Sequence, residues 1–254
     1  MATIVTGYFE LNKSKASPEK YKIWMQNMLM NNNPMVIFCD DKSYSTISEL
    51  RNGNENNTRI IITKFEDFYS YRYVKSFLQH TQLDHEINRG HNMFLYMVWS
   101  EKSNFLKRAI ELNPFHSDYF LWVDIGCFRV PNTEYLNWPN PKRIEEIPKD
   151  KVLLLSVVPF TPQELYTFHL ENLPSFQHTN RIGAPIFGGG KEILLEWHKK
   201  YYSMLEHFIR INRFIGKDQS IMNSVFLMNR EICELVNWEQ PCNDIWFYLQ
   251  DYLK

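Results

Sequence analysis

The sequence predicts an α/β protein with a mostly parallel central sheet flanked by helices. Short apolar runs of strand length alternate with longer segments whose apolar residues recur at helical spacing. Residues 3–39 have the pattern strand, helix, strand, which normally forms two parallel strands joined by a crossover helix. The run Tyr119–Val123 is apolar throughout, which is typical of a strand buried on both faces of a parallel sheet.

The N-terminal part of the chain supplies three strands and one helix. A strand is expected over residues 3–8. Ser17-Pro18 is a typical helix start, because serine caps a helix and proline is tolerated at its first position. Pro34–Cys39 predicts the second strand and Arg59–Thr63 the third.

The later elements continue the alternation. The strongest predicted helix, His91–Leu112, has an apolar face and leads into Tyr119–Val123. No repeat, linker or break in composition divides the chain, so we expect one domain over residues 1–254. The remaining expectations are strands at Val152–Val158 and Ala184–Phe187, an irregular segment over 159–180, and helices after Gly190, from Asp218 and over Asp244–Leu253.

Composition excludes several classes of function. The formal net charge is −1, so nothing indicates a nucleic acid partner. The four cysteines are widely spaced, which indicates neither a zinc site nor a disulfide framework. Aromatic residues make up 15% of the chain, which indicates either an aromatic core or platforms for sugars and bases. The start of the chain lacks the features of a signal peptide, and no apolar run approaches the ~20 residues of a membrane span, so we expect a soluble cytoplasmic protein without a transmembrane segment.

Asp124 is the first candidate functional residue. It follows the predicted buried strand, and ligands of open α/β sheets bind beyond the carboxyl ends of the strands. The carboxylate could hold a divalent cation, Mn²⁺ or Mg²⁺, on the diphosphate of a nucleotide-sugar. Alternatively it could cap a turn or pair with Arg129. Position 126 is glycine, so the second acid of an Asp-x-Asp pair is missing.

Lys102 is the second candidate, because it lies in the middle of the apolar face of the helix His91–Leu112. A buried ammonium needs a compensating anion. Its side chain therefore either extends to water or reaches a phosphate or an internal carboxylate. Trp99 precedes Lys102 by about one helical turn and lies within reach of the same site.

Two glycines and an Asp-Gln pair form the third group of candidates. Gly188 and Gly189 belong to a triple glycine before a helix, which permits either a loop under a sugar or phosphate or a plain turn. Asp218 and Gln219 open a helix. Asp218 could be a helix cap or a catalytic carboxylate, and the pair could bind sugar hydroxyls.

The ends of the first two strands supply the last candidates. Thr6, Gly7 and Tyr8 could surround a nucleobase and ribose, as the first-strand loops of nucleotide-binding α/β folds do. Asp40 ends the second strand, where it could hydrogen-bond a base or ribose or serve as an ordinary turn residue.

In their order along the chain these stretches resemble the HtrL/YibB family, also called WlaTC/HtrL-like, of glycosyltransferase-like proteins with a GT-A-type fold. The match spans residues 3–225, and Trp122-Val-Asp-Ile-Gly126 is its most specific part. The matching segments are Thr3–Phe9, residues 22–25, Pro34–Phe38, Trp99 with Lys102, Asn113–Phe115, Phe120–Gly126, Phe187–Gly189 and Asp218-Gln219.

The resemblance implies an enzyme that moves a sugar from a nucleotide-diphospho-sugar, a UDP-sugar in the first place, to a glycan, protein or other hydroxyl acceptor. It implies a divalent metal ion, Mn²⁺ or Mg²⁺, bound by Asp124. We expect Asp218 and Asp124 to be the catalytic residues. The expected donor-binding residues are Thr6, Gly7, Tyr8, Asp40, Trp99, Lys102, Gly188, Gly189 and Gln219.

The missing second acid motivates an alternative, a catalytically inactive nucleotide- or carbohydrate-binding protein of the same fold. A nucleotidyltransferase that makes the activated sugar is a weaker alternative. Such an enzyme usually needs a glycine- and basic-rich phosphate loop near the N-terminus, whereas residues 3–16 contain one glycine.

Overall fold

A central β-sheet organises the structure, a computed structural model that describes residues 1–11, 16–131 and 133–254. Over these residues the sheet has seven strands, with helices packed on both of its faces. The strands are β1 (Ala2–Tyr8), β2 (Met35–Cys39), β3 (Thr58–Ile62), β4 (Tyr119–Val123), β5 (Val152–Ser156), β6 (Ile182–Gly190) and β7 (Cys233–Asn237).

The α-helices lie between the strands and after the last one. The two longest have 20 residues each and pack against one another. Over the described part of the chain, no helix is both long and apolar enough to cross a membrane. The helices are α1 (Pro18–Leu29), α2 (Tyr44–Leu50), α3 (Val74–His80), α4 (Met93–Leu112), α5 (Pro141–Glu146), α6 (Pro162–Tyr166), α7 (Lys191–Arg210), α8 (Asp218–Met228) and α9 (Leu249–Tyr252).

The sheet is mostly parallel, as predicted. Its spatial order is β3-β2-β1-β4-β6-β5-β7. Strand β6 runs antiparallel to β4 and β5, and the other neighbouring pairs are parallel. The carboxyl ends of β1, β2 and β4 therefore meet at one edge of the sheet, which we call the carboxyl edge.

Local sequence explains how the main elements begin and where they pack. Strands β2, β4 and β5 are buried along their whole length, in keeping with their apolar runs. Helix α1 begins as predicted, with the side chain of Ser17 accepting a hydrogen bond from the backbone of Lys20 at 3.3 Å. Helix α4 is capped by Asn92, whose side chain accepts from the backbone of Leu95 at 3.0 Å. One face of the sheet packs against α4, α7 and α8, and the other packs against α1 and the C-terminal segment.

The triple glycine forms neither of the two predicted structures, a loop under a ligand or a plain turn. Gly188 and Gly189 lie inside β6 and pair with Leu121 and Phe120 of β4. A Cβ atom at Gly188 would lie 2.3 Å from the carbonyl oxygen of Phe120. Glycine is required there because the two strands approach too closely for a side chain, and not because the chain forms a loop around a ligand.

Several boundaries also differ from the prediction. Strand β7 was missed because only Val236 of its five residues is fully buried, which leaves no clear apolar alternation. Helix α6 interrupts the segment 159–180, which was expected to be irregular, and helix α5 lies in a stretch for which no helix was predicted. Each begins with a capping side chain followed by proline, Asn140-Pro141 and Thr161-Pro162. The expected C-terminal helix is only the short α9, preceded by a single 3₁₀ turn.

Candidate functional site

The ammonium group of Lys102 lies between the carboxylates of Asp124 and Asp218. Its Nζ atom is 3.0 Å from Oδ1 of Asp124 and 2.9 Å from Oδ2 of Asp218. It also donates to the backbone carbonyl of Ala184 at 3.2 Å. The three N–H groups of the ammonium thus have three acceptors. The side chain of Lys102 was predicted to reach water, a phosphate or an internal carboxylate, and in the structure it reaches two internal carboxylates.

Three elements bring these side chains together. Lys102 lies on the buried face of α4, Asp124 directly follows β4, and Asp218 is the first residue of α8. The start of β6 closes the group from the side, because the carbonyl of Pro185 accepts from the backbone of Asp124 at 2.7 Å. The group lies at the carboxyl edge, where the sequence predicted a ligand site.

Burial and charge act in opposite directions on Lys102. Burial of the side chain, which is 5% exposed, favours the neutral amine, but the two carboxylates outweigh it and raise the pKa of Lys102 above its ordinary value. Burial raises the pKa of the Asp218 carboxyl, although Lys102 opposes this. One ammonium between two ionised carboxylates leaves one negative charge, and Asp124, with 34% of its side chain exposed, is where that charge meets solvent.

The side chain of Asp124 contacts Trp122 and Lys102, and it neither pairs with Arg129 nor caps the turn. The indole N–H of Trp122 donates to Oδ1 of Asp124 at 2.7 Å, which holds the carboxylate in one orientation. The alternative ion pair with Arg129 is not formed. The carboxylate nearest to Arg129 belongs to Asp244, 3.8 Å away. The turn after β4 is closed by the backbone carbonyl of Asp124, which accepts from Cys127 at 2.9 Å, and not by its side chain.

A divalent cation at Asp124 would have one carboxylate from the protein. Mg²⁺ is commonly held by one or two carboxylates together with substrate phosphates, so a single, partly exposed acid fits a cation that arrives with a diphosphate. Such a cation would share the carboxylate with Lys102, whose Nζ lies within 3.3 Å of both oxygens.

A second group of side chains could hold a metal ion. Asp84, Glu86 and His91 each bring one ligand atom within 4.8 Å of the others. The Nδ1 atom of His91 lies 2.7 Å from Oδ2 of Asp84, while its buried Nε2 has no hydrogen-bond partner among the described residues. The carboxylate of Glu86 forms ion pairs with Arg89 and Lys217. This group was not predicted from the sequence. The signal that could have indicated it is two acidic residues, two positions apart, followed five positions later by a histidine.

Trp99 links the two groups. Its ring packs edge-on against the ring of His91, with the centroids 5.1 Å apart. Trp99 also lines a small cavity of about 10 Å³ together with Lys102 and Asp218. Trp99 and Lys102 are therefore brought together, as expected from their spacing on one helix.

The residues of β1 lie beside β4. The hydroxyl of Thr6 donates to the carbonyl of Val123 at 2.6 Å and is fully buried. At Gly7 a Cβ atom would lie 3.5 Å from the ring of Trp122. Tyr8, in contrast, is half-buried, and its ring lies 5.6 Å from that of Tyr21. Of the three, Tyr8 has the side chain that a ligand can reach.

The remaining predicted residues are placed unequally. Both carboxylate oxygens of Asp40 accept backbone hydrogen bonds, from Glu10 at 2.7 Å and from Ser43 at 2.8 Å. Gln219 is half-buried, and its backbone N–H donates to Oδ1 of Asp218 at 2.9 Å. Gly188 and Gly189 pair with the first half of β4, away from the residue that follows its end.

A cleft borders the second group, and Asp124 is not among the residues that line it. It has a volume of about 530 Å³ and is lined by Asp84 and Phe214, among others. Phe214 lies four residues before Asp218, so the cleft lies next to the segment that leads into α8. Most of its other lining side chains are polar: Gln82, His85, Gln177, Asn212 and Arg213.

Comparison with solved structures supports the same fold. The crystal structure of mouse xyloside xylosyltransferase 1 in its apo form is similar to this chain, with a TM-score of 0.50 and 9% sequence identity. The similarity covers 100% of this chain and 94% of the mouse chain. This likeness shows that the chain shares the α/β fold of that structure.

Comparison of sequences identifies the family. No curated protein matches the chain. A family model described as "Bacterial protein of unknown function (HtrL_YibB)" matches residues 1–247. The chain therefore belongs to the HtrL_YibB family, as its motifs indicated.

Proposed function

We propose that this protein is a glycosyltransferase, one GT-A-like domain over residues 1–254 that moves a sugar from a nucleotide-diphospho-sugar to a hydroxyl acceptor. The observation that carries the proposal is the group formed by Lys102, Asp124 and Asp218 at the carboxyl edge. It presents a partly exposed, rigidly held carboxylate where ligands of such sheets bind. The likeness to a xylosyltransferase supports the same class of reaction.

Asp124 is the proposed catalytic contact with the donor. A divalent cation, Mn²⁺ or Mg²⁺, held by Asp124 would offset the negative charge that develops on the departing diphosphate. The indole of Trp122 and the ammonium of Lys102 fix the orientation of the carboxylate before any ligand arrives. Such preorganisation lowers the cost of ordering the site when the donor binds.

Lys102 is proposed to position the two carboxylates. We expected it to face a phosphate, but its three donors are used by Asp124, Asp218 and the carbonyl of Ala184, and its side chain is 5% exposed. A buried cation that neutralises one charge allows the end of β4 and the start of α8 to lie together. Its contribution to donor binding is therefore indirect.

Asp218 is proposed to act through Lys102. Its side chain is 2% exposed, so in this conformation it does not meet an acceptor hydroxyl. The expected direct catalytic role is therefore replaced by a positioning role. Asp124 remains the carboxylate that substrate can touch.

The nucleoside is assigned to Tyr8, with Thr6 and Gly7 as buried support beneath it. The half-buried ring of Tyr8 offers a stacking surface for a base, and a UDP-sugar remains the first donor to test. Trp99 and Gln219 stay close to Asp218 as candidate contacts of the donor sugar. Asp40, Gly188 and Gly189 are not proposed as donor contacts, because their contacts are within the protein.

The acceptor is assigned to the 530 Å³ cleft before α8. Its volume is within the range of small-molecule sites, roughly 300–1,000 Å³. Its polar side chains suit a hydroxyl-rich acceptor such as a glycan. Because the cleft lies next to the segment leading into α8, the proposed acceptor would bind on the Asp218 side of the site.

One experiment tests the proposal directly. Release of nucleoside diphosphate is measured for a panel of nucleotide-sugars, UDP-sugars first, with Mn²⁺ or with a chelator. We expect metal-dependent release for at least one donor, and loss of release in Asp124→Asn. The matched control is Asp118→Asn at the opposite end of β4, where the side chain is 63% exposed. Full activity in Asp124→Asn would rule out the proposed role of this residue.

The alternative is an inactive nucleotide- or carbohydrate-binding protein of the same fold. The observation that favours it is the ammonium of Lys102, which already lies where a cation would approach Asp124. Calorimetry with nucleotide-sugars separates the two. A metal-independent affinity without turnover supports the alternative, whereas metal-dependent turnover contradicts it.

A further inference from the structure

We propose that Arg129 is the side chain that binds the diphosphate group of the donor, beside Asp124. The inference rests on the proposed function and deepens it, because it assigns the phosphate contact to a residue other than Lys102. The chemical class of the ligand is a diphosphate ester or free pyrophosphate.

The loop from Asp124 to Arg129 is held firmly at the carboxyl edge. The carbonyl of Phe128 accepts from the side-chain amide of Asn27 at 2.9 Å, which fixes the loop to α1. Gly126 packs against Tyr21, whose ring would lie 3.3 Å from a Cβ atom at this glycine. The backbone therefore sets the position of Arg129 relative to Asp124.

Aromatic rings hold the guanidinium group of Arg129 on two sides. Its Cζ atom lies 4.8 Å from the ring centroid of Trp24 and 4.5 Å from that of Phe247. Stacking on rings leaves the N–H groups at the edge of the guanidinium plane available for an anion. The side chain is 49% exposed, and its ion-pair partner Asp244 is 3.8 Å away, beyond hydrogen-bond distance.

Among the residues that the structure describes, Lys102 and Lys217 are less suitable. Lys102 is buried and its donors are used by protein acceptors, and Lys217 is paired with Glu86. Lys20 is exposed, and its Nζ atom lies 5.3 Å from the centroid of the Trp24 ring, so two positive charges lie next to one indole. A diphosphate carries negative charge that this pair can attract.

Arg129 and Asp124 act on the same part of the site. Burial raises the pKa of the Tyr21 hydroxyl, the charge of Asp124 raises it further, and the charge of Arg129 lowers it. Both charges therefore reach one side chain, which packs against the turn between them. The planar fork of arginine matches phosphate oxygens in a bidentate contact, which an ammonium cannot form.

The test is binding of inorganic pyrophosphate to the whole protein by calorimetry, with and without Mn²⁺. Arg129→Gln should weaken binding about tenfold or more, the effect of losing a charge-assisted hydrogen bond. Arg129→Lys should recover part of the loss. The matched control is Arg143→Gln, because Arg143 also lies over a ring, that of Tyr252 at 5.1 Å, and is 39% exposed. We expect the control to bind as the wild type does.

Three results would overturn the inference. They are wild-type affinity in Arg129→Gln, equal weakening in the Arg143→Gln control, and no pyrophosphate binding by the wild type. If Arg129→Gln lowers the melting temperature, Arg129→Lys replaces it, and unchanged affinity in that folded variant would overturn the bidentate contact. Nucleotide-sugar turnover with unchanged pyrophosphate binding in Arg129→Gln would refute this inference alone. Arg129-dependent pyrophosphate binding without turnover of any donor would refute the proposed function and leave the anion site.

Discussion

The Nζ atom of Lys102 lies 2.9 Å from Oδ2 of Asp218, which joins the middle of α4 to the first residue of α8. Both side chains are nearly inaccessible to water, so Lys102 compensates the buried charge of Asp218, while Asp124 and Asp218 together compensate that of Lys102. The same ammonium holds Asp124 at the carboxyl edge. Stability and the geometry of the candidate site therefore depend on one side chain.

Replacing Lys102 by methionine should destabilise the protein by about 3–5 kcal/mol, because two carboxylates lose their cation. The free energy of unfolding in urea at pH 7 measures this. Lys107→Met on the same helix is the control. Lys107 forms a partly exposed pair with Glu111, and its loss should cost less than about 1 kcal/mol.

The deficit of Lys102→Met should shrink as the pH falls from 7 towards 4. Burial raises the pKa of Asp218, so the folded protein binds the proton more tightly than the unfolded chain does. Removing the cation strengthens this preference, and acidification then favours folding of the variant relative to the wild type. A deficit that grows on acidification would contradict the assigned pair.

Tyr96→Phe tests the buried group around Asp84. The hydroxyl of Tyr96 donates to Oδ2 of Asp84 at 2.5 Å, and its loss should cost about 1.5–3 kcal/mol at pH 7. Burial opposes ionisation of Asp84, yet its hydrogen bonds lower its pKa below the ordinary value of an aspartate. These hydrogen bonds stabilise the folded protein fully above that ordinary pKa, and the stabilisation is lost as the pH falls through the lowered pKa, so the deficit should shrink in acid. Tyr73→Phe, which removes an exposed bond to Glu206, is the control, and an equal deficit in both variants would argue against the Asp84 network.

Gly188→Ala should destabilise the protein by about 3 kcal/mol, since the new methyl group would overlap the carbonyl of Phe120. Thermal unfolding measures the loss. Gly7→Ala is the comparison, because there the nearest atom is 3.3 Å away on the ring of Phe9 and the substitution should cost less. A stable Gly188→Ala variant with impaired donor binding would instead support a ligand contact.

Asp40→Ala should cost about 1–2 kcal/mol of stability, because the backbone N–H groups of Glu10 and Ser43 lose their acceptor. Asp41→Ala, at the exposed neighbouring position, should stay within about 0.5 kcal/mol of the wild type. Chemical denaturation of the two variants side by side is the measurement. Equal stability of the two variants would show that Asp40 is not the turn residue described above.

Much of the fold could be read from the sequence, because strand and helix patterns report burial directly. The apolar runs of β2, β4 and β5 and the capping serine of α1 specified those elements. Strand β7 was missed because it is only partly buried and carries no such pattern. The helix start at Ser17-Pro18 did not show that Trp24 would lie half-exposed against Arg129, since local residue order does not say where the neighbouring layer ends.

The sequence by itself determined that Asp124 ends a buried strand and that Lys102 lies on an apolar helical face, because both facts follow from local residue order. Only the tertiary structure decided that Lys102 joins Asp124 to Asp218, 94 residues further along the chain, and that Gly188 serves strand packing. The physical reason is that local residue order determines which charges are buried and need a partner, and which positions need a small residue. The identity of the compensating partner depends on which distant elements the fold brings within a few ångströms.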